Sequence, residues 1–152
     1  MGLSSWSRAP KEQTDAMHRL ESLPRVRHGV RPPPPLVVDD KDAYHKACER
    51  AGYPGHLAPE IKAAPIREVP VAGVHTIQSS VNPDRVAQYV RDPGLTREDA
   101  VGKHGGPIGV PIIVQARGVR WMHDGHHRAT AEILRGASTV RARFVDLDGA
   151  RR

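Results

Sequence analysis

From residue 74 onward, the apolar positions of this chain switch repeatedly between a period of two and a period near 3.6, the signatures of strand and helix. "VHTIQ" at 74–78 predicts a short strand. In "SSVNPDRVAQYV", which follows, Val86, Tyr89 and Val90 share one helical stripe, Asn82 supplies an N-cap and Pro83 the first helical position, and Asp92-Pro93-Gly94 ends the helix. After a glycine-rich loop, "GVPIIVQ" and "VRWMH" predict two strands joined in a hairpin by Ala116-Arg117-Gly118. "HRATAEILRG" predicts a helix closed by Gly136, and "VRARFVDL" a last strand with Val140, Ala142 and Phe144 on one face. The order strand, helix, strand, strand, helix, strand makes this an α+β domain, a small mixed β-sheet with helices packed on it.

The first half is patterned more thinly. "TDAMHRLESL" sets Met17, Leu20 and Leu23 at helical spacing, enough for a short helix that needs a partner surface to persist. "RVRHGVRPPPPL" then closes with four prolines that impose an extended conformation and forbid helix or central strand. In "VDDKDAYHKACERAGYPG" the acids Asp39, Asp40 and Asp42 come first, Ala43, Tyr44, Ala47 and Cys48 share a face, Arg50 sits in the last turn and Gly52 follows, which is a helix with start and stop signals. Prolines every few positions make 53–70 a linking loop that ends in an edge strand near "IREVPV". The expected organisation is an extended or disordered arm with a Pro-rich linker at 1–35, a helix and linking loop at 36–65, and the α+β domain at 66–152.

Composition narrows the function classes. No apolar run is long enough to span a bilayer and the N-terminus lacks the apolar centre of a secretory signal, so the expectation is a cytoplasmic protein that engages no membrane. The single cysteine, Cys48, excludes an internal disulfide framework and reads as a small buried apolar residue. The net charge is +6, and residues 61–152 hold most of the excess, with 14 Lys and Arg against 9 acids. That balance suits nucleotide or DNA partners, and it is equally common on soluble basic proteins without such partners.

The densest chemistry lies in "RWMHDGHHRATAEIL", where the run Asp124-Gly125-His126-His127-Arg128 falls between a strand and a helix. Backbone amides at such a junction are unpaired, Gly125 lets the backbone approach an anion closely, and Arg128 offers a forked pair of donors to phosphate. Taken singly, each residue has a plainer reading: Asp124 as a cap, Gly125 as a turn, Arg128 on the solvent face. A metal site is a second chemical reading of His123, Asp124, His126 and His127, with His75 or His104 approaching from elsewhere, although the spacing matches no strong zinc signature.

With these motifs in view, the second half resembles the ParB/sulfiredoxin superfamily, whose members follow a hairpin with a Gly-x-His-Arg or Gly-x-Arg-Arg motif opening a helix. "SVNPDRVAQYV" is similar to the early helix of that fold, and "GPIGVPIIVQARGVRWMHDGHHRATAEILRGASTVRARFV" to its hairpin, motif helix and closing strand. The resemblance covers residues 66–147. It implies that the junction binds the phosphates of ATP, ADP or CTP through His127 and Arg128, with Arg85 reaching the nucleotide from the early helix. His126 stands where sulfiredoxins carry their catalytic cysteine, so repair of sulfinic acids is not expected. ParB partition proteins carry a helix-turn-helix domain after this module; because the sequence stops at Arg152, centromere reading is not expected.

The form "DGHHR" also resembles the ParB-like nuclease branch, many of whose members are encoded by phage and mobile elements, and a branch that phosphorylates free serine. The leading expectation is therefore a phosphate-binding domain that performs phosphodiester cleavage, as a hydrolase, or phosphoryl transfer. In the nuclease version His126 or His75 is the general base, with Mg²⁺ or Arg128 stabilising the developing phosphate charge; in the kinase version Glu68, at the entry to the first strand of the domain, deprotonates the acceptor hydroxyl. The alternatives are a non-catalytic DNA-binding accessory protein, and a structural virion or interaction protein whose N-terminal arm docks on a protein partner.

Overall fold

A computed structural model describes residues 11–93, 97–101, 107–108 and 110–149. Gly94, His104 and Gly109 of the sequence analysis lie outside the described residues. The elements are α1 (Lys11–Glu21), β1 (Arg25–Val26), β2 (Gly29–Val30), β3 (Val37–Val38), α2 (Lys41–Arg50), α3 (Ala58–Ala63), β4 (Ile66–Pro70), β5 (His75–Thr76), α4 (Pro83–Arg91), β6 (Arg97–Val101), β7 (Pro107–Ile108), β8 (Ile112–Ala116), β9 (Val119–Asp124), α5 (His126–Leu134) and β10 (Thr139–Asp146).

Six strands form one mixed sheet in the order β3-β5-β9-β8-β10-β4, and the α+β class holds. The β8–β9 hairpin lies at its centre, and β10 runs parallel to β8 (Phe144 opposite Ile113) and antiparallel to β4 (Val140 opposite Val69). The period-two pattern explains why the sheet is covered on both faces. Ile113, Met122, Val140 and Ala142 point to one side with Ala129 and Ile133 of α5, whereas Val114, Ala116, Trp121 and Val145 point to the other with Tyr44 and Cys48 of α2. Cys48 is buried, as its place on the apolar stripe of α2 predicts.

Residues 11–35 do not form an extended arm. Ala16 and Leu20 of α1 and Val30 of β2 are buried with Val86, Val90, Ala131 and Leu134, so the stripe read at Met17, Leu20 and Leu23 has found its partner surface on α4 and α5. Arg135, just past α5, fixes the contact: its guanidinium donates to the Glu12 carboxylate at 2.6 Å and to the Val90 carbonyl at 2.9 Å. The linking loop likewise contains a short helix, α3, opened by proline in its first turn and without buried residues, so no apolar stripe announces it.

Three neighbouring strands, β3, β5 and β9, run parallel, and each leads into a helix: α2, α4 and α5 respectively. The N-termini of those helices therefore gather at one end of the sheet, the end where α/β proteins place anionic ligands. Two of them have side-chain caps. Asp40 accepts from the Asp42 N–H at 2.6 Å, and Asn82 accepts from the Asp84 and Arg85 N–H groups at 2.9 and 3.4 Å. Removal of the second cap in Asn82→Ala is expected to cost about 1 kcal/mol in urea unfolding.

Candidate functional site

The third N-terminus, that of α5, has no side-chain cap. Its N-cap is Gly125 in the left-handed region at φ 82°, and the Asp124 carboxylate accepts from the Gly125 N–H at 2.8 Å instead of from the first turn. The capping role read for Asp124 is thus a local turn. The amides of His126, His127 and Arg128, the first three of the helix, have no intrahelical acceptor, the arrangement that favours an anion at a helix N-terminus.

Beside them, His127 ties α5 to α4. Its Nε2 accepts from the Asn82 N–H at 3.0 Å, which leaves the proton of the neutral ring on Nδ1. Burial holds the His127 pKa below its ordinary value, the Arg85 cation adds to the effect, and the Asp124 carboxylate opposes it. Arg85 is exposed on the first turn of α4, so Arg85, His127 and the two helix N-termini form one continuous surface.

Arg128 is half-buried and already partnered. It donates to the Pro93 carbonyl at 2.9 Å, pairs with Glu132 one turn on at 3.3 Å, and lies over the Tyr89 ring with its guanidinium carbon 5.7 Å from the centroid. It also lines a cavity of about 180 Å³ with Glu68, Glu132, Thr139 and Arg141 around an apolar floor of Val110, Pro111 and Val140. Glu68 reaches this cavity from β4 and accepts from the Thr139 hydroxyl at 2.8 Å. The fold thus brings together Glu68 and Arg128, 60 residues apart in the chain.

The histidines divide. His126 is only 7% exposed; its ring bonds to the Met122 carbonyl, and Nε2 is buried with no partner. Burial pushes its pKa down to about 4, against partial opposition from Asp124. A ring so enclosed is poorly placed to meet a substrate as a base. His75 sits on the opposite face of the sheet, level with Trp121, its Nδ1 2.8 Å from the Asp39 carboxylate and its ring edge-on to Trp121 at 5.0 Å. His123 lies on that face and shares a hydrogen bond between its Nδ1 and the Tyr44 hydroxyl at 2.8 Å, with burial lowering its pKa. The metal reading of His75, His123, Asp124, His126 and His127 is therefore not gathered into a site, and among the described residues no three His, Cys, Asp or Glu side chains group for a metal ion.

Sequence reasoning missed Asn82 as the partner of His127, and Glu132, Thr139 and Arg141 as cavity walls. Only Glu132 carried a signal, its i+4 spacing from Arg128. Among the described residues no helix is long and apolar enough to cross a membrane. Comparisons of the chain with protein-family models, with curated proteins and with solved structures find no match in any of the three.

Proposed function

We propose that this chain is a ParB/sulfiredoxin-like domain that binds the phosphate of a nucleotide or nucleic acid at the N-terminus of α5 and acts on it by phosphoryl transfer or phosphodiester cleavage. The observation that carries the reading is the shared cavity of Glu68 and Arg128, two residues nominated separately from the sequence for complementary roles. Phosphoryl chemistry needs a seat for the phosphate, a cation to take up its developing charge, and a base for the attacking hydroxyl or water. The α5 amides supply the first, Arg128 the second and Glu68 the third. Glu68 is favoured over the histidines because it lines the cavity that Arg128 lines, whereas His126 is enclosed and neither His126 nor His75 lines it.

The cavity, about 180 Å³, is smaller than the roughly 300 Å³ at which sites for drug-sized ligands begin. It suits a phosphate or an attacking group, with the rest of the nucleotide or strand lying outside it. Glu68 and Glu132 also fit Mg²⁺, which takes one or two carboxylates together with ligand phosphate and would neutralise phosphate charge there. The prior commitment of Arg128 to Pro93, Glu132 and Tyr89 favours a second reading, a binding module without turnover.

Thermal-shift titration with ATP, ADP, CTP and a short DNA duplex, with and without Mg²⁺, tests the site. A ligand at roughly one hundred times its Kd should stabilise the wild type by about 2.7 kcal/mol, and Arg128→Ala and His127→Ala should lose that shift. With the active ligand, Glu68→Gln should still bind while turnover falls by about 10²- to 10⁴-fold. Binding that survives both the Arg128 and His127 substitutions would sink the assignment, and binding without turnover in the wild type would select the binding module.

A further inference from the structure

The hairpin β1–β2 carries Arg25, Arg27, His28 and Arg31 within seven residues, all four exposed. None of these arginines has an ion pair or side-chain hydrogen bond among the described residues, unlike Arg19, Arg128, Arg135 and Arg143, whose guanidinium groups each hold a backbone carbonyl. The hairpin is fixed in place rather than loosely attached. Val30 and Val81 exchange both backbone hydrogen bonds, at 3.0 and 2.9 Å, and Gly29 lies so close that a Cβ there would overlap the Val81 carbonyl oxygen. Val81 precedes Asn82, whose N–H is held by His127. The hairpin that carries the arginines is thereby tied to Val81, one residue before Asn82 at the α4 N-terminus, which His127 joins to α5.

We infer that the β1–β2 hairpin is a phosphodiester-binding element, and that the ligand extending beyond the α5 site is a nucleic-acid duplex gripped through its backbone. The inference rests on the phosphate-site reading for the identity of the ligand. Its own support is the row of unpaired guanidinium forks, whose geometry matches phosphate oxygens better than lysine would. Among the described residues no acid pairs with them, and Glu21 at the end of α1 and Asp84 on the first turn of α4 are exposed. A duplex is favoured over a single strand because single strands are held by base stacking on aromatic rings. Among the described residues no Phe, Tyr or Trp side chain is fully exposed, which favours backbone contact over base stacking.

The test uses the full chain and a fluorescently labelled DNA duplex in anisotropy titrations between about 50 and 200 mM salt. Combined substitution Arg25→Gln, Arg27→Gln, Arg31→Gln should reduce the slope of log affinity against log salt by about 3, one counterion release for each lost phosphate contact. A variant with the same charge loss on α2 and α3, Lys46→Gln, Arg50→Gln, Lys62→Gln, should keep the wild-type slope. Equal losses in the two variants would show a net-charge effect and overturn the inference, as would tighter binding of single strands or of phosphatidylserine vesicles than of duplex. Nucleotide shifts retained beside hairpin-independent duplex binding would discard the hairpin and leave the α5 site standing. Hairpin-dependent duplex binding that ignores Arg128→Ala, in a protein no nucleotide stabilises, would discard the α5 site and leave the hairpin.

Discussion

Gly125→Ala is expected to destabilise the protein by about 3 to 4 kcal/mol, near the upper end of single-substitution effects. Two independent costs meet at this residue. Its φ of 82° lies in the left-handed region, where an L side chain costs roughly 1–2 kcal/mol. A Cβ would also sit 2.5 Å from the Pro111 Cα, 3.1 Å from its nitrogen and 3.0 Å from its Cβ. These are backbone and ring atoms that cannot swing aside, and Pro111 is held by the Arg143 N–H, which its carbonyl receives at 2.9 Å. The strain would be relieved by moving the start of β8 or the N-terminus of α5, and the second of these is the proposed phosphate seat. Urea unfolding of Gly125→Ala and Gly125→Asn separates the two costs. Asparagine tolerates the left-handed region but still brings a Cβ, so it should recover only the conformational part. Full recovery with asparagine, or a loss below about 1 kcal/mol with alanine, would refute the close-approach argument.

The second half of the fold was legible because period and punctuation agreed there. Asn82-Pro83 opens α4 where a cap and a first-turn proline predict, and Val140, Ala142 and Phe144 face one core as strand alternation requires. The first half was read unevenly: α2 stands where its acids and Gly52 put it, but before it the signals are short. Residues 11–21 hold few apolar positions, and α1 is stable only because α4 and α5 offer it a surface, a fact that no local pattern contains. The hairpin β1–β2 was hidden by its charge and by the proline run behind it. The site was legible as residue types but not as geometry. Glu68 and Arg128 could be named, yet their meeting depends on β4 pairing with β10 and on α5 crossing the sheet nearby. The histidines look equivalent in "HDGHH", and only the fold sorts them: His123 to the α2 face, His126 into the interior, His127 to the α4 junction.

That sorting gives His126 a pH signature. At neutral pH its ring is uncharged, with Nδ1–H given to the Met122 carbonyl and the Nε2 lone pair enclosed without a partner. Protonation would place a charge and an unsatisfied N–H in the core, which is why burial lowers its pKa from 6.5 to about 4. Between those values the unfolded chain binds a proton that the folded chain does not, so stability falls as pH drops from about 6.5 to about 4 and levels off below. At 1.36 kcal/mol for each pH unit, the full loss is about 3 kcal/mol. His123 and His127, also lowered by burial, add to the slope in the same direction. His126→Asn keeps a short amide donor for Met122 and removes the titration, so whatever it does at pH 7 it should flatten the fall in urea-derived stability between pH 7 and 4 by about 3 kcal/mol. A variant that loses stability over this range as steeply as the wild type would show that the His126 ring is open to solvent, and would return it to consideration as the base beside Arg128.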